Sequence, residues 1–163
     1  MARILIVGCG CRGRELAASL VAEGHAVRGT TRAAARLPAI EAVGAEAVLA
    51  DPDRLATVTA HLQGIGVLCW LMGTAEGAPD AVAALHGPRL ESMLETLVDT
   101  HVRGMVYEGA GSAPSALLAE GAEAVRRAGA TFRMPTEVVG RDPADHGAWR
   151  DEMTAAVGRI LTA

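Results

Sequence analysis

The sequence contains no lysine: all fifteen of its basic residues are arginine. This excludes a phosphate-binding P-loop lysine, a Schiff-base lysine and any Tyr-x-x-x-Lys catalytic pair. Tyr107 is the only tyrosine. Three cysteines are too few for a disulfide framework, and two of them share one glycine-rich stretch, so a reducing cytoplasm is expected. Neither sign of charge dominates: the net charge is −4 and the pI about 5.7. Nothing therefore favours nucleic acid or an anionic membrane surface as a partner. The apolar run near the N-terminus is too short for a signal peptide or a membrane span. His86 and His101 have no neighbours that complete a metal or triad spacing. Surface or capping roles are expected for both, and no metal site. Internal repeats and low-complexity tracts are also missing.

What is present is organised around residues 1–32. An apolar strand, Ile4–Val7, runs into Gly8-Cys9-Gly10-Cys11-Arg12-Gly13, then a helix from Arg14 to Glu23, a Gly24-His25 stop and a second strand, Ala26–Thr31. A G-x-G-x-x-G run between a strand and a helix, inside a unit of about thirty residues, is a dinucleotide-binding signal. Gly8 permits the tight turn, Gly10 lets a pyrophosphate approach the backbone, and Gly13 allows close helix–strand packing. The helix N-terminus offers N–H groups and partial positive charge to the phosphates, which places Cys11 and Arg12 in the same cradle. An NAD-specific site usually carries Asp or Glu at the end of strand two. Here Thr30-Thr31-Arg32 stands there, with Arg36 a helical turn on. Arginine pairs well with a 2′-phosphate, so Thr31, Arg32 and Arg36 point to NADP ahead of NAD.

The rest of the chain alternates between helix and strand. A helix Ala34–Val43 precedes strand three, Ala47–Ala50, and then Asp51-Pro52-Asp53. Asp51 is placed to meet an adenine amino group or to serve its own loop; Asp53 is a candidate cap for a helix Arg54–Leu62. Strand four, Ile65–Leu71, is continuously apolar, as a strand covered on both faces should be. It stops at Met72-Gly73-Thr74, so Trp70 to Thr74 should line the cofactor cleft. Residues 74–88 read as a substrate loop or lid, or as a plain connection. A helix Arg89–His101 follows, then strand five, Gly104–Glu108. Glu108 is a carboxylate at the end of an apolar strand and needs solvent, a partner or a ligand. Ser112 is either an N-cap for the next helix or a group that polarises a substrate carbonyl. That helix should stop at Gly129, before strand six (Thr131–Met134) and a last helix, Ala148–Leu161. Cys9, Cys11 and Cys69 either pack as small buried residues or gather near the phosphates as a redox site.

With 163 residues, 50% of them hydrophobic and 21% charged, the chain fits one domain, 1–163, with a real core. The βα alternation implies a doubly wound Rossmann-type parallel sheet of six strands, order 3-2-1-4-5-6, with helices on both faces. Gly8-x-Gly10-x-x-Gly13, Asp51, the Val106–Ser112 end of strand five and Pro135-x-x-Val138-Val139-Gly140 fall in the order of one family. The chain resembles an extended or atypical short-chain dehydrogenase/reductase of the NAD(P)-dependent epimerase-like kind. It departs from that family in its turn spacing, in the missing Tyr-x-x-x-Lys pair, and in stopping about where the substrate-binding C-terminal part would begin. The resemblance implies a cofactor site that extends to Pro135. It also implies an NADP-dependent reductase without a tyrosine acid, with Ser112 and Glu108 as the catalytic polar groups. The alternatives are a non-catalytic NAD(P)-binding redox sensor or regulatory module, and a domain for another adenosine ligand such as S-adenosylmethionine. The absence of an acid at the end of strand two counts against the last. The expected partners are a dinucleotide cofactor and a small-molecule substrate, with a homodimer as the expected assembly.

Overall fold

Short apolar strands spaced by helices pack as a parallel sheet, because each crossover lays its helix on a sheet face. The computed structural model describes residues 1–163 and has this form. Six strands, β1 (Arg3–Val7), β2 (Ala26–Thr31), β3 (Glu46–Leu49), β4 (Val67–Trp70), β5 (Gly104–Glu108) and β6 (Thr136–Val139), lie in the order β3-β2-β1-β4-β5-β6. Every adjacent pair is parallel. The helices are α1 (Cys11–Ala22), α2 (Leu37–Glu41), α3 (Leu55–Thr59), α4 (Pro79–Leu85), α5 (Pro88–Leu97), α6 (Ser115–Phe132) and α7 (His146–Thr162). None is long and apolar enough to cross a membrane.

Side chains alternate across the sheet and make two cores. Ile4, Ile6, Cys69 and Val106 face Leu16 and Leu20 of α1 and Trp149 and Met153 of α7. Leu5, Val7, Trp70 and Tyr107 face Leu85, Leu90, Leu94 and Val125 of α4, α5 and α6. The central strands β1 and β4 bury residues on both faces; the edge strands β3 and β6 are only partly covered, which is why their sequences are less apolar.

Several expected boundaries move. The first helix begins at Cys11, with Gly10 as its N-cap, so Gly13 lies in the first turn. The expected helix 34–43 splits into a 3-10 turn, Ala34–Arg36, and α2. The stretch 74–88 carries α4; Pro79 opens it, as proline suits a first turn, and Asp80 complements its dipole. Gly129 does not stop α6. It lies inside the helix, at a point where a β-carbon would sit 2.6 Å from Thr136 Oγ1, so its smallness serves the contact with β6 and not a helix stop. The helix runs on to Phe132 and ends through Arg133 at φ 52°. Strand six therefore starts at Thr136 instead of Thr131. Ser112 is exposed in a turn ahead of Pro114, and α6 has no side-chain cap.

Candidate cofactor site

Where β1 and β4 part, their crossovers run to opposite sides, and the carboxyl ends leave a crevice. A cavity of about 410 Å3 opens there. Gly8 turns the chain at φ +87°, a conformation that favours glycine, and a β-carbon on it would strike Leu71 O and Met72. Its N–H donates to Thr30 Oγ1 at 3.2 Å. Gly13 has room for nothing larger, with Gly8 O 3.1 Å from where a β-carbon would stand. Gly10 is the opposite case. It lines the cavity, and a β-carbon there would meet nothing within 4 Å. Beyond it α1 begins with no side-chain cap and no acid in its first turn, so its leading N–H groups keep their partial positive charge. Cys11 is exposed but not in the cavity wall.

Thr31, Arg32 and Arg36 line the far side. Each threonine hydroxyl accepts one backbone hydrogen bond, Thr30 from the Gly8 N–H and Thr31 from the Ala33 N–H at 3.2 Å. The positive charge at this end belongs to the two arginines. Asp51 is drawn into its own loop. Its Oδ1 accepts the Asp53 N–H at 2.9 Å, its N–H donates to Thr57 Oγ1 at 2.8 Å, and it does not line the cavity. Pro52 and Asp53 do. Asp53 does not cap α3, whose start is uncapped. Leu71 and Met72 form the wall beyond β4, joined by Thr74, Ala75 and Glu76 and by Val82 and Leu85 of α4. These residues had a readable signal, since they follow the carboxyl end of a central strand. Pro135 lies elsewhere. It precedes β6 at the amino end of the sheet, where its carbonyl accepts the Met105 N–H at 3.2 Å, so it stands apart from the crevice.

Neither catalytic candidate faces the cavity. Glu108 is fully buried and held from three sides. Arg12 Nε donates to Oε2 at 3.1 Å, an Arg12 terminal nitrogen to Oε1 at 2.8 Å, and the Gly73 N–H to Oε1 at 2.8 Å. Arg12 also lies over the Trp149 ring, 5.6 Å from its centroid. Burial pushes the Glu108 carboxyl above its ordinary range, and the Arg12 guanidinium and the Gly73 N–H oppose that rise. Gly73 is thus a strut behind the wall. Ser112 points to solvent outside the cavity.

His86 is the C-cap residue of α4, as a capping role would have it, but its side chain is not on the surface. It is 1% exposed, with Nε2 3.0 Å from the Met72 carbonyl and Nδ1 2.6 Å from the Tyr107 hydroxyl. A carbonyl can only accept, so Nε2 carries the proton and Tyr107 donates to Nδ1. The tyrosine's proton is spent inside the core. Burial, and the Glu108 charge next to it in sequence, push the phenol's pKa well up. Cys9 and Cys69 are buried thiols that burial pushes up to about 12, so they pack as small residues. No group of three or more His, Cys, Asp or Glu is placed to hold a metal ion.

The crevice, its glycine turn and the strand order are those of a doubly wound, Rossmann-type fold. Among solved structures, BdcA (YjgI) from E. coli matches 98% of this chain and 88% of its own, with TM-score 0.73 and 16% identity. An NAD-dependent epimerase/dehydratase from Bacillus halodurans matches 88% of this chain and 71% of its own (TM-score 0.67, 18% identity). The NADP(H) complex of triphenylmethane reductase from Citrobacter matches 85% of this chain and 49% of its own (TM-score 0.64, 16% identity). The chain spans about half the length of several reductases that it matches, 56% and 49% in two cases. At these identities the likeness is one of fold. No protein-family model and no curated protein matches the sequence.

Two predictions come from the buried polar groups. Removing Arg12 strands a carboxylate that has no path to water, whereas removing the Glu108 charge leaves a guanidinium that is 20% exposed and can turn outward. Arg12→Ala should therefore cost about 3–5 kcal/mol at neutral pH, and Glu108→Gln about 1–3 kcal/mol. In Arg12→Ala the loss should shrink towards pH 5, because Glu108 can then take up a proton. Urea unfolding at both pH values measures this; equal losses in the two variants would contradict it. The second concerns His86, whose pKa burial lowers from the ordinary 6.5. The unfolded chain takes up that proton first as pH falls, so the stability is complete above about pH 6.5 and lost below it. The slope should reach up to about 1.4 kcal/mol per pH unit between pH 6.5 and 5, and His86→Gln should flatten it.

Proposed function

We propose that this chain binds NADP(H) in the crevice and acts as a reductase of a small organic substrate. The observation that carries the reading is a juxtaposition. An uncapped helix start beside an open Gly10 faces Arg32 and Arg36 across one cavity. The first pair suits a pyrophosphate and the second a 2′-phosphate. The residues present fit such a group. The Gly8–Gly10 backbone and the leading N–H groups of α1 would hold the diphosphate, and Arg32 with Arg36 the phosphorylated ribose. Leu71 and Met72 would press on the nicotinamide side, with Val82 and Leu85 excluding water there. The cofactor supplies hydride; the protein supplies binding and orientation. With Tyr107 bonded to His86, Glu108 to Arg12, and Ser112 outside the cavity, the proton comes from solvent water. That same withdrawal of the three groups favours a second reading, a non-catalytic NAD(P)-sensing module. Oxidation of NADPH in the presence of quinones, flavins or aldehydes separates the two. The chain's likeness in fold to a reductase solved with NADP(H), and to one solved with NADPH, supports a nicotinamide cofactor.

Gly10→Val should leave the fold intact, because no protein atom fills that space, and abolish cofactor binding, because the side chain would take the pyrophosphate's place. Normal NADPH affinity in the folded variant would remove the central argument. The next test concerns the 2′-phosphate. Its pairing with Arg32 is worth about 1.5–3 kcal/mol, so NADPH should bind roughly ten- to a hundredfold more tightly than NADH. Arg32→Asp should reverse that order by supplying a like charge to the phosphate and an acceptor to the ribose hydroxyl. Calorimetric titration of both cofactors into both proteins decides it; an unchanged ratio would make Arg32 a solvated surface residue.

A further inference from the structure

Asp53 stands between two guanidinium groups at the cavity rim. Its Oδ2 is 3.7 Å from an Arg32 terminal nitrogen, and its Oδ1 is 3.7 Å from Arg89 Nε on α5. Neither distance closes a hydrogen bond. Oδ1 and Arg89 Nε are nevertheless both buried atoms without a hydrogen-bond partner, an arrangement that costs desolvation and calls for a reason. Asp53 lines the cavity beside Arg32 and Arg36. The acid that sites for unphosphorylated dinucleotides carry at the end of β2 is replaced here by Arg32. The loop after β3 brings a carboxylate, Asp53, beside the Arg32 guanidinium in the same cavity wall.

We infer that Asp53 sets how strongly the site discriminates between a phosphorylated and an unphosphorylated ribose, and that Arg89 tunes it. The inference rests on the dinucleotide reading above. A ribose 2′-hydroxyl can donate to the carboxylate; a 2′-phosphate is repelled by it and must draw Arg32 away from it. Arg89 offsets part of the Asp53 charge from the side away from Arg32. It thereby leaves Arg32 freer for a phosphate. Asp53 and Arg89 are positioning and specificity residues, and no bond-making step is assigned to them.

The test is titration of NADPH and NADH into wild type, Asp53→Asn, Arg89→Gln and the double variant, with circular dichroism confirming the fold and Asp53→Ser as a second probe. Asp53→Asn should raise the NADPH-to-NADH affinity ratio roughly tenfold, tightening NADPH and weakening NADH. Arg89→Gln should lower the ratio several-fold, and that effect should vanish once Asp53 is gone. An unchanged ratio in Asp53→Asn and Asp53→Ser, or equal weakening of both cofactors, would overturn the inference. So would an Arg89→Gln effect that survives in the double variant, since Arg89 would then act on the ligand directly. Wild type that takes up neither cofactor would sink the dinucleotide reading and this inference with it. That result differs from the others because it needs no variant.

Discussion

A carboxylate without access to water sits at the end of β5, and the upper half of the molecule is arranged to make that tolerable. Glu108 receives two bonds from Arg12 and one from Gly73. Through them the start of α1, the end of β4 and the end of β5 are tied at one point. Trp149 of α7 closes the stack over the guanidinium. Isolated burial of an ionised carboxylate would be prohibitive; a bidentate partner with further hydrogen bonds is the arrangement that offsets it. Such a pair contributes little net stability against an apolar replacement, and its value is geometric. It fixes where the first turn of α1 stands relative to the crevice, hence where the N–H groups that face the cavity point.

The alternation of a strand explains why the two chemically tempting residues of β5 are both unavailable. Tyr107 and Glu108 are neighbours in sequence and so lie on opposite faces of the sheet. Each finds a partner in a different core, His86 among α4, α5 and α6, and Arg12 beneath α1 and α7. Gly121 completes the first arrangement: α6 comes so close to the Tyr107 hydroxyl that a β-carbon would overlap it. Polar groups placed this way specify packing. They keep Tyr107 and Glu108 out of the crevice, whose lining instead combines the glycine-turn backbone, Arg32 and Arg36, apolar walls and the acids Asp53 and Glu76.

The sheet order was legible because it depends on alternation of elements and on a glycine turn whose three positions each have one physical task. In the structure Gly8 makes the tight turn, Gly13 comes close to the Gly8 carbonyl, and the space over Gly10 is open. Residues Ala26–Thr31 and Gly104–Glu108 match the expected strands, since periodicity and flanking glycines agree there. What escaped was set by tertiary contact. Gly129 reads locally as a helix stop, and only its proximity to Thr136 makes it an interior helical residue. Asp51 reads as an adenine contact or a loop residue and Asp53 as a helix cap; a two-residue turn inside the loop consumes Asp51 and leaves Asp53 at the cavity. His86 has no neighbouring motif because its partners, Tyr107 and the Met72 carbonyl, come from two other elements. The helix Pro79–Leu85 is too short for its period to rise above a Gly- and Ala-rich background.

The strand order also carries a consequence for how the chain is made. β1 precedes the other five strands in sequence and lies inside the finished sheet, where Ile4 through Val7 are wholly excluded from water. Only β2 can pair with it early. Its other edge waits for Val67 to Trp70, and part of the face that carries Ile4 and Ile6 waits for α7, which follows all six strands in sequence. Until β4 has been made, the nascent chain therefore displays an apolar strand with an open edge. Such a strand is a natural substrate for holding factors, and one that non-local pairing is slow to close.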